Sequence, residues 1–157
     1  MSKHPEMSKV LFRIQEADGS ANVETLWATP LGEDRYQLDN SPFYAYSVSW
    51  KDIVYAPFDQ QEQFPTFQRV LSKSGHRTIR IIFEKATAGI GESDGVLEQL
   101  VALGCSYEGA TKAYVCVDIP PGVELDNVRQ FMIQHSLKFE HADPTYEELF
   151  PDEKPFS

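Results

Sequence analysis

His76 stands in the run Ser74-Gly75-His76-Arg77, and a histidine on a loop is the side chain best suited to moving protons near neutral pH. Such a base needs a group to orient its ring, and Asp39 or Ser74 could serve. The same histidine also fits a structural role, bonding to the backbone and locking a hinge. His135 and His141 lie either side of the expected closing strand, near Glu140 and Asp143, but no HxH, HExxH or His-Cys grouping occurs, so zinc is not expected. Gly89, Gly91 and Gly95 follow a strand-like run and precede a helix-like one. Their spacing is GxGxxxG rather than the dinucleotide GxGxxG, and Glu92 and Asp94 would oppose a phosphate at that helix start. No catalytic group, cofactor or metal site is therefore assigned.

Two further groups of residues suit binding better than catalysis. Phe43, Tyr44, Tyr46, Trp50, Tyr55, Phe58, Phe64 and Phe67 crowd one stretch, where Pro57 and Pro65 also stand. A strand shows two faces, so some of these rings must be exposed, and exposed aromatics anchor protein interfaces. Charge is the second signal. The formal net charge is −10 over 157 residues. Residues 1–83 contribute −1 and residues 84–157 contribute −9. An acidic surface repels nucleic-acid backbones and anionic lipid and steers a basic protein toward itself.

The elements that would position these residues can be read from periodicity. Val10, Phe12 and Ile14 alternate with Leu11, Arg13 and Gln15, and Val23, Thr25 and Trp27 alternate with Glu24, Leu26 and Ala28. Strands are also expected at 35–38, 52–56 and 66–72. Short strands at this spacing predict a small, strongly bent sheet, β-barrel-like and SH3-like. From Ser74-Gly75 onward the pattern becomes βαββαβ, a ferredoxin-like order. It comprises a strand through Ile79, Ile81 and Phe83, a helix over 94–103 capped by Ser93 and stopped by Gly104, and two strands within 107–119. A helix carrying Leu125, Val128, Phe131 and Met132 inward and a closing strand at 137–140 complete it. The fold class is thus α+β. Its parts are a disordered N-terminus at 1–8, a β-rich subdomain at 9–73, an α+β subdomain at 74–142 and an acidic tail at 143–157. In the tail, Asp143 is expected to cap one helical turn begun by Pro144.

With 41% apolar residues the chain can bury a core, and no run approaches the roughly 18 apolar residues of a membrane span. The amino terminus has no apolar secretory stretch, so a cytoplasmic place is expected. Cys105 and Cys116, with ten residues between them, match neither CxxC spacing nor a disulfide-rich scaffold and are read as reduced core residues.

The blocks Leu26-Trp27-Ala28, Pro30-Leu31-Gly32, Arg35-Tyr36, Leu38-Asp39-Asn40 and Pro42-Phe43, with Ser74-Gly75-His76 and Thr78-Ile79-Arg80, resemble the bacterial domain of unknown function 4265. The resemblance spans about residues 9–120. It implies a small stand-alone intracellular protein but no mechanism, and it marks Asp39, Asn40, His76 and Arg77 as a possible functional loop. The polar insert 59–63 and the acidic tail depart from the family pattern.

These readings converge on a non-catalytic protein-binding inhibitor, in its specific form an immunity protein that neutralises a cognate, basic bacterial toxin such as a nuclease. Trp50, Tyr55 and Phe58 would be the anchors, and Glu92, Asp94, Glu98 and Glu108 the acidic contacts. Nucleic acid and membranes are not expected partners. The alternatives are a small-molecule-binding regulatory module and an enzyme using His76.

Overall fold

The computed structural model describes residues 7–16, 18–83, 92–111 and 113–153. It is a mixed α and β structure with few helices, and the chain divides into two compact units, residues 1–76 and residues 77–157.

The first unit is built on strands β1 (Ser8–Gln15), β2 (Ala21–Gly32), β3 (Arg35–Leu38), β4 (Ile53–Tyr55) and β7 (Arg69–Ser72), antiparallel neighbours in the order β1-β2-β3-β4-β7. Strands β5 (Phe58–Asp59) and β6 (Phe64–Pro65) pair as a separate small hairpin. The alternation in β1 and β2 sets the inward face, because side chains on a strand point to opposite sides in turn. Val10 lies opposite Leu26 and Phe12 opposite Glu24. Val10, Phe12, Leu26, Ala28, Leu38, Val48 and Val54 form the core of the unit, and Phe67 stacks on Phe12 with ring centroids 4.7 Å apart. Val23, Thr25 and Trp27 take the outer face and are exposed. A single bridge joins Leu11 to Thr66. Among the described residues the ladder stays open and does not close into a barrel.

The polar insert is tied to this unit. The Arg13 guanidinium reaches the Asp59 carboxylate at 3.1 Å and that of Glu62 at 2.7 Å, so it holds the β5–β6 hairpin against β1.

The second unit runs β8 (Arg77–Ile82), α1 (Glu92–Ala102), β9 (Ser106–Gly109), β10 (Tyr114–Ile119), α2 (Leu125–Gln134), β11 (Lys138–Asp143) and the turn α3 (Tyr146–Leu149). Among the described residues its four strands are ordered β11-β8-β10-β9 and every neighbouring pair is antiparallel. Ile79, Ile81, Val115, Val117 and Ile119 meet Val96, Leu97 and Leu100 of α1 and Val128 and Met132 of α2 in one core. Helix α1 stops where Gly104 adopts φ +108°, a conformation L side chains rarely take. A Cβ at that position would lie 2.7 Å from Cγ2 of Val123, so glycine is required on both counts.

Three local expectations change. Helix α1 begins at Glu92, which puts Ser93 inside the first turn rather than before it. Strand β11 continues past Glu140 to Asp143, because its ladder with β8 carries on through a bulge after His141. The cap of α3 is then Thr145, not Asp143. Its hydroxyl accepts the Glu148 amide, and the Glu148 carboxylate accepts the Thr145 amide in return.

Candidate functional site

The loop from Asp39 to Asp52 connects β3 to β4 and is organised by two buried carboxylates from outside and at its end. Glu24 occupies an inward position of β2, where an apolar residue would otherwise stand. Its oxygens accept the backbone amides of Phe43 at 2.6 Å, Tyr44 at 3.1 Å and Ala45 at 2.9 Å. Asp52 is fully buried and accepts the amides of Ser49 at 2.9 Å and Ser74 at 2.8 Å. Lys73 donates to the same carboxylate at 2.5 Å and to the Ser47 carbonyl at 3.2 Å. Burying a carboxylate is costly unless its oxygens are hydrogen-bonded; Glu24 is satisfied by loop amides alone, and Asp52 by amides and the Lys73 ammonium.

This clamping holds the chain in conformations it would not choose alone. Ser47 and Lys51 sit at φ +68° and +70°, in the left-handed region unfavourable for residues with a Cβ. Ala45 and Val48 point into the core, while Tyr44 and Tyr46 are 53% and 51% exposed. Two aromatic rings are thus presented from a fixed backbone.

Trp50 closes the loop. Its indole N–H donates to Oδ1 of Asp39 at 3.2 Å, its ring meets that of His76 edge-on at 5.0 Å, and the Lys51 ammonium lies 4.7 Å from its centroid. The Ser74 hydroxyl donates to the Trp50 carbonyl at 2.7 Å and accepts the His76 amide at 3.1 Å. Asp39, Trp50, Ser74 and His76 are therefore brought together. In this arrangement Asp39 accepts the indole hydrogen bond and Ser74 ties two backbone groups, which are structural duties. Asn40 has one as well, since its Oδ1 accepts the Trp27 amide at 2.8 Å. Trp27 itself is exposed, with Lys9 over its ring at 4.8 Å.

The other candidates lie elsewhere. Arg77 belongs to the second unit, where its guanidinium donates to the carbonyls of Pro120, at 2.7 Å, and Val123 and fixes the entry to α2. Tyr55 is half-buried beneath Arg69, at 4.4 Å. Phe58, 57% exposed, opens β5. Glu98 is exposed on α1 and Glu108 half-buried on β9. Glu92 and Asp94 lie in the first turn of α1, and their side chains are outside the described residues, as are Gly89 and Gly91. Nδ1 of His135 lies 3.0 Å from the Phe131 carbonyl, and His141 is buried. Among the described residues no group of three or more His, Cys, Asp or Glu could hold a metal ion.

The family model for the domain of unknown function DUF4265 matches residues 24–139. The chain belongs to that family. The DUF4265 match begins on Glu24, the carboxylate that holds the aromatic loop, and extends across both units. A similar solved structure is described as a novel crystal structure of a hypothetical protein from Neisseria gonorrhoeae. It is 16% identical, the alignment covers 92% of this chain and 99% of that one, and the TM-score is 0.74, a likeness of fold. No curated protein matches this DUF4265 chain. Sequence reasoning missed Glu24, Asp52 and Lys73 as organisers of the site. A glutamate on the inward phase of an otherwise apolar alternation was the available signal for Glu24.

Proposed function

We propose that this chain is a non-catalytic protein-binding module acting in the cytoplasm, and in its specific form an immunity protein that inhibits a basic toxin by direct contact. The observation that carries the reading is the clamped loop. Tyr44 and Tyr46 stand exposed on a backbone held by Glu24 and Asp52, so little side-chain or loop ordering remains to oppose binding. Rigid exposed tyrosines supply large contact area with few rotatable bonds. The polar residues that could have formed a catalytic group are engaged in holding this loop.

The net charge of −10 supports a basic partner, because long-range attraction raises the rate of encounter. The thiols of Cys105 and Cys116 are buried and neither forms a disulfide among the described residues, which suits a reducing compartment, and no helix among the described residues is long and apolar enough to cross a membrane. We assign the five-strand meander to the SH3-like type and the second unit to the ferredoxin-like type. The Leu11–Thr66 bridge supports the first assignment, and the antiparallel order β11-β8-β10-β9 within βαββαβ supports the second.

The test is capture of partners from the native host by the full chain and by a Tyr44→Ala, Tyr46→Ala variant. A stoichiometric basic protein that is retained by the first, lost by the second and released by salt is the expected result. Equal capture by both would remove the loop from the account.

A further inference from the structure

His141 is 6% exposed, and neither of its ring nitrogens has a hydrogen-bond partner among the described residues. It lies on the core-facing side of β11, opposite Ile79. Phe139 meets its ring edge-on at 5.6 Å, and Phe150, the residue that ends α3, meets it at 6.5 Å. Phe150 also contacts Tyr146 at 4.8 Å and carries the Arg129 guanidinium of α2 over its face at 4.7 Å. The imidazole is thus part of the surface on which the C-terminal turn sits.

A neutral imidazole tolerates this apolar place at some cost, but an imidazolium would be buried without an acceptor. The charged groups around it do not relieve that. Arg129 repels it from α2, where Asp126 is exposed in the first turn. On α3, Glu148 is held in the capping box, Glu147 is exposed, and the Tyr146 hydroxyl turns to Glu153. Lys138 is exposed, Glu140 pairs with Arg80, and Asp143 stands opposite Thr78 in the ladder, on the other side of the strand from Ile79. We propose that His141 is an acid-sensitive latch, whose protonation releases the segment from Pro144 to Glu153 from β11 while the sheet behind it stays folded.

Burial, and then Arg129, pushes the His141 pKa below the ordinary imidazole value of 6.5. The docked state therefore binds the proton less readily than the released one, so docking is strongest above about pH 6.5 and is lost as the pH falls below it.

The test is amide exchange by NMR on the full chain, with the His141 ring resonances followed in the same samples. Between about pH 7.5 and about pH 5, protection of the Leu149, Phe150 and Glu153 amides, corrected for intrinsic exchange, should fall by about tenfold or more, and that of Ile79 and Val117 should hold. The fall should track the ring titration. In His141→Phe, which keeps an aromatic ring in the site, the segment should stay protected throughout, and His141→Leu serves if that variant does not fold. A fall that persists in either folded variant, or that does not track the His141 ring in the native chain, overturns the proposal.

Discussion

The indole N–H of Trp50 donates to Oδ1 of Asp39 across 3.2 Å, and the same indole meets His76 edge-on at 5.0 Å. One aromatic ring thus contacts both of the residues whose types point to an acid–base pair. Replacing Trp50 by Phe removes the bond and keeps a ring, and should lower unfolding free energy by about 1 kcal/mol. His76→Ala removes the ring pair and should cost about 0.5–1.5 kcal/mol. Denaturant unfolding measures both, and partner binding at saturating concentration should survive His76→Ala.

Glu24→Ala leaves the amides of Phe43, Tyr44 and Ala45 without their acceptor. A loss of about 2–4 kcal/mol is expected, with faster amide exchange at those residues. Glu24→Gln keeps one acceptor oxygen and should lose less. Equal stability of the alanine variant and the native chain would contradict the clamp.

Asp52→Ala should be more damaging than Lys73→Met. Removing Asp52 takes away the acceptor of Ser49, Ser74 and Lys73 together, at about 3 kcal/mol or more, whereas the half-exposed Lys73 contributes about 1 kcal/mol. Thermal or denaturant unfolding of the two variants gives the order directly.

The amide of Glu62, then Arg13, then the amide of Gln61 hold the Asp59 carboxyl below its ordinary value of 3.8. A depressed folded value means that the contribution of Asp59 is present above 3.8 and is lost as the pH falls through the folded midpoint. NMR titration should find that midpoint below 3.8 in the native chain and closer to it in Arg13→Gln.

Burial, followed by the charge of Asp118 and against that of Arg77, pushes the Cys105 thiol up to about 11. The thiolate is the reactive form, so Cys105 should not react with a thiol reagent near pH 8 in the folded chain and should react once denaturant is added. Mass spectrometry of the labelled peptide distinguishes the two.

Much of this architecture is legible in the residues because its determinants are local. The alternation of Val10, Phe12 and Ile14 and the helical spacing of Leu125, Val128, Phe131 and Met132 each act within one element, and the positive φ of Gly104 is a local stop signal just past α1. The candidate site is less so. Asp39-Asn40-Ser41-Pro42-Phe43 reads as a self-contained turn, yet the groups that shape the loop beyond it are Glu24, on a strand before it, and Lys73 and Ser74, after it. Contacts of that sequence separation leave no periodic trace. Thr145 shows a different failure, since Thr145-x-x-Glu148 is a capping-box pattern that the neighbouring Asp143-Pro144 obscured.

The most direct measurement of the central claim is capture of a partner from the native host at low and high salt, with the native chain and the Tyr44→Ala, Tyr46→Ala variant side by side. The account predicts one stoichiometric basic protein, released by salt and not held by the variant. No captured protein at low salt, or one held equally by both chains, would contradict it.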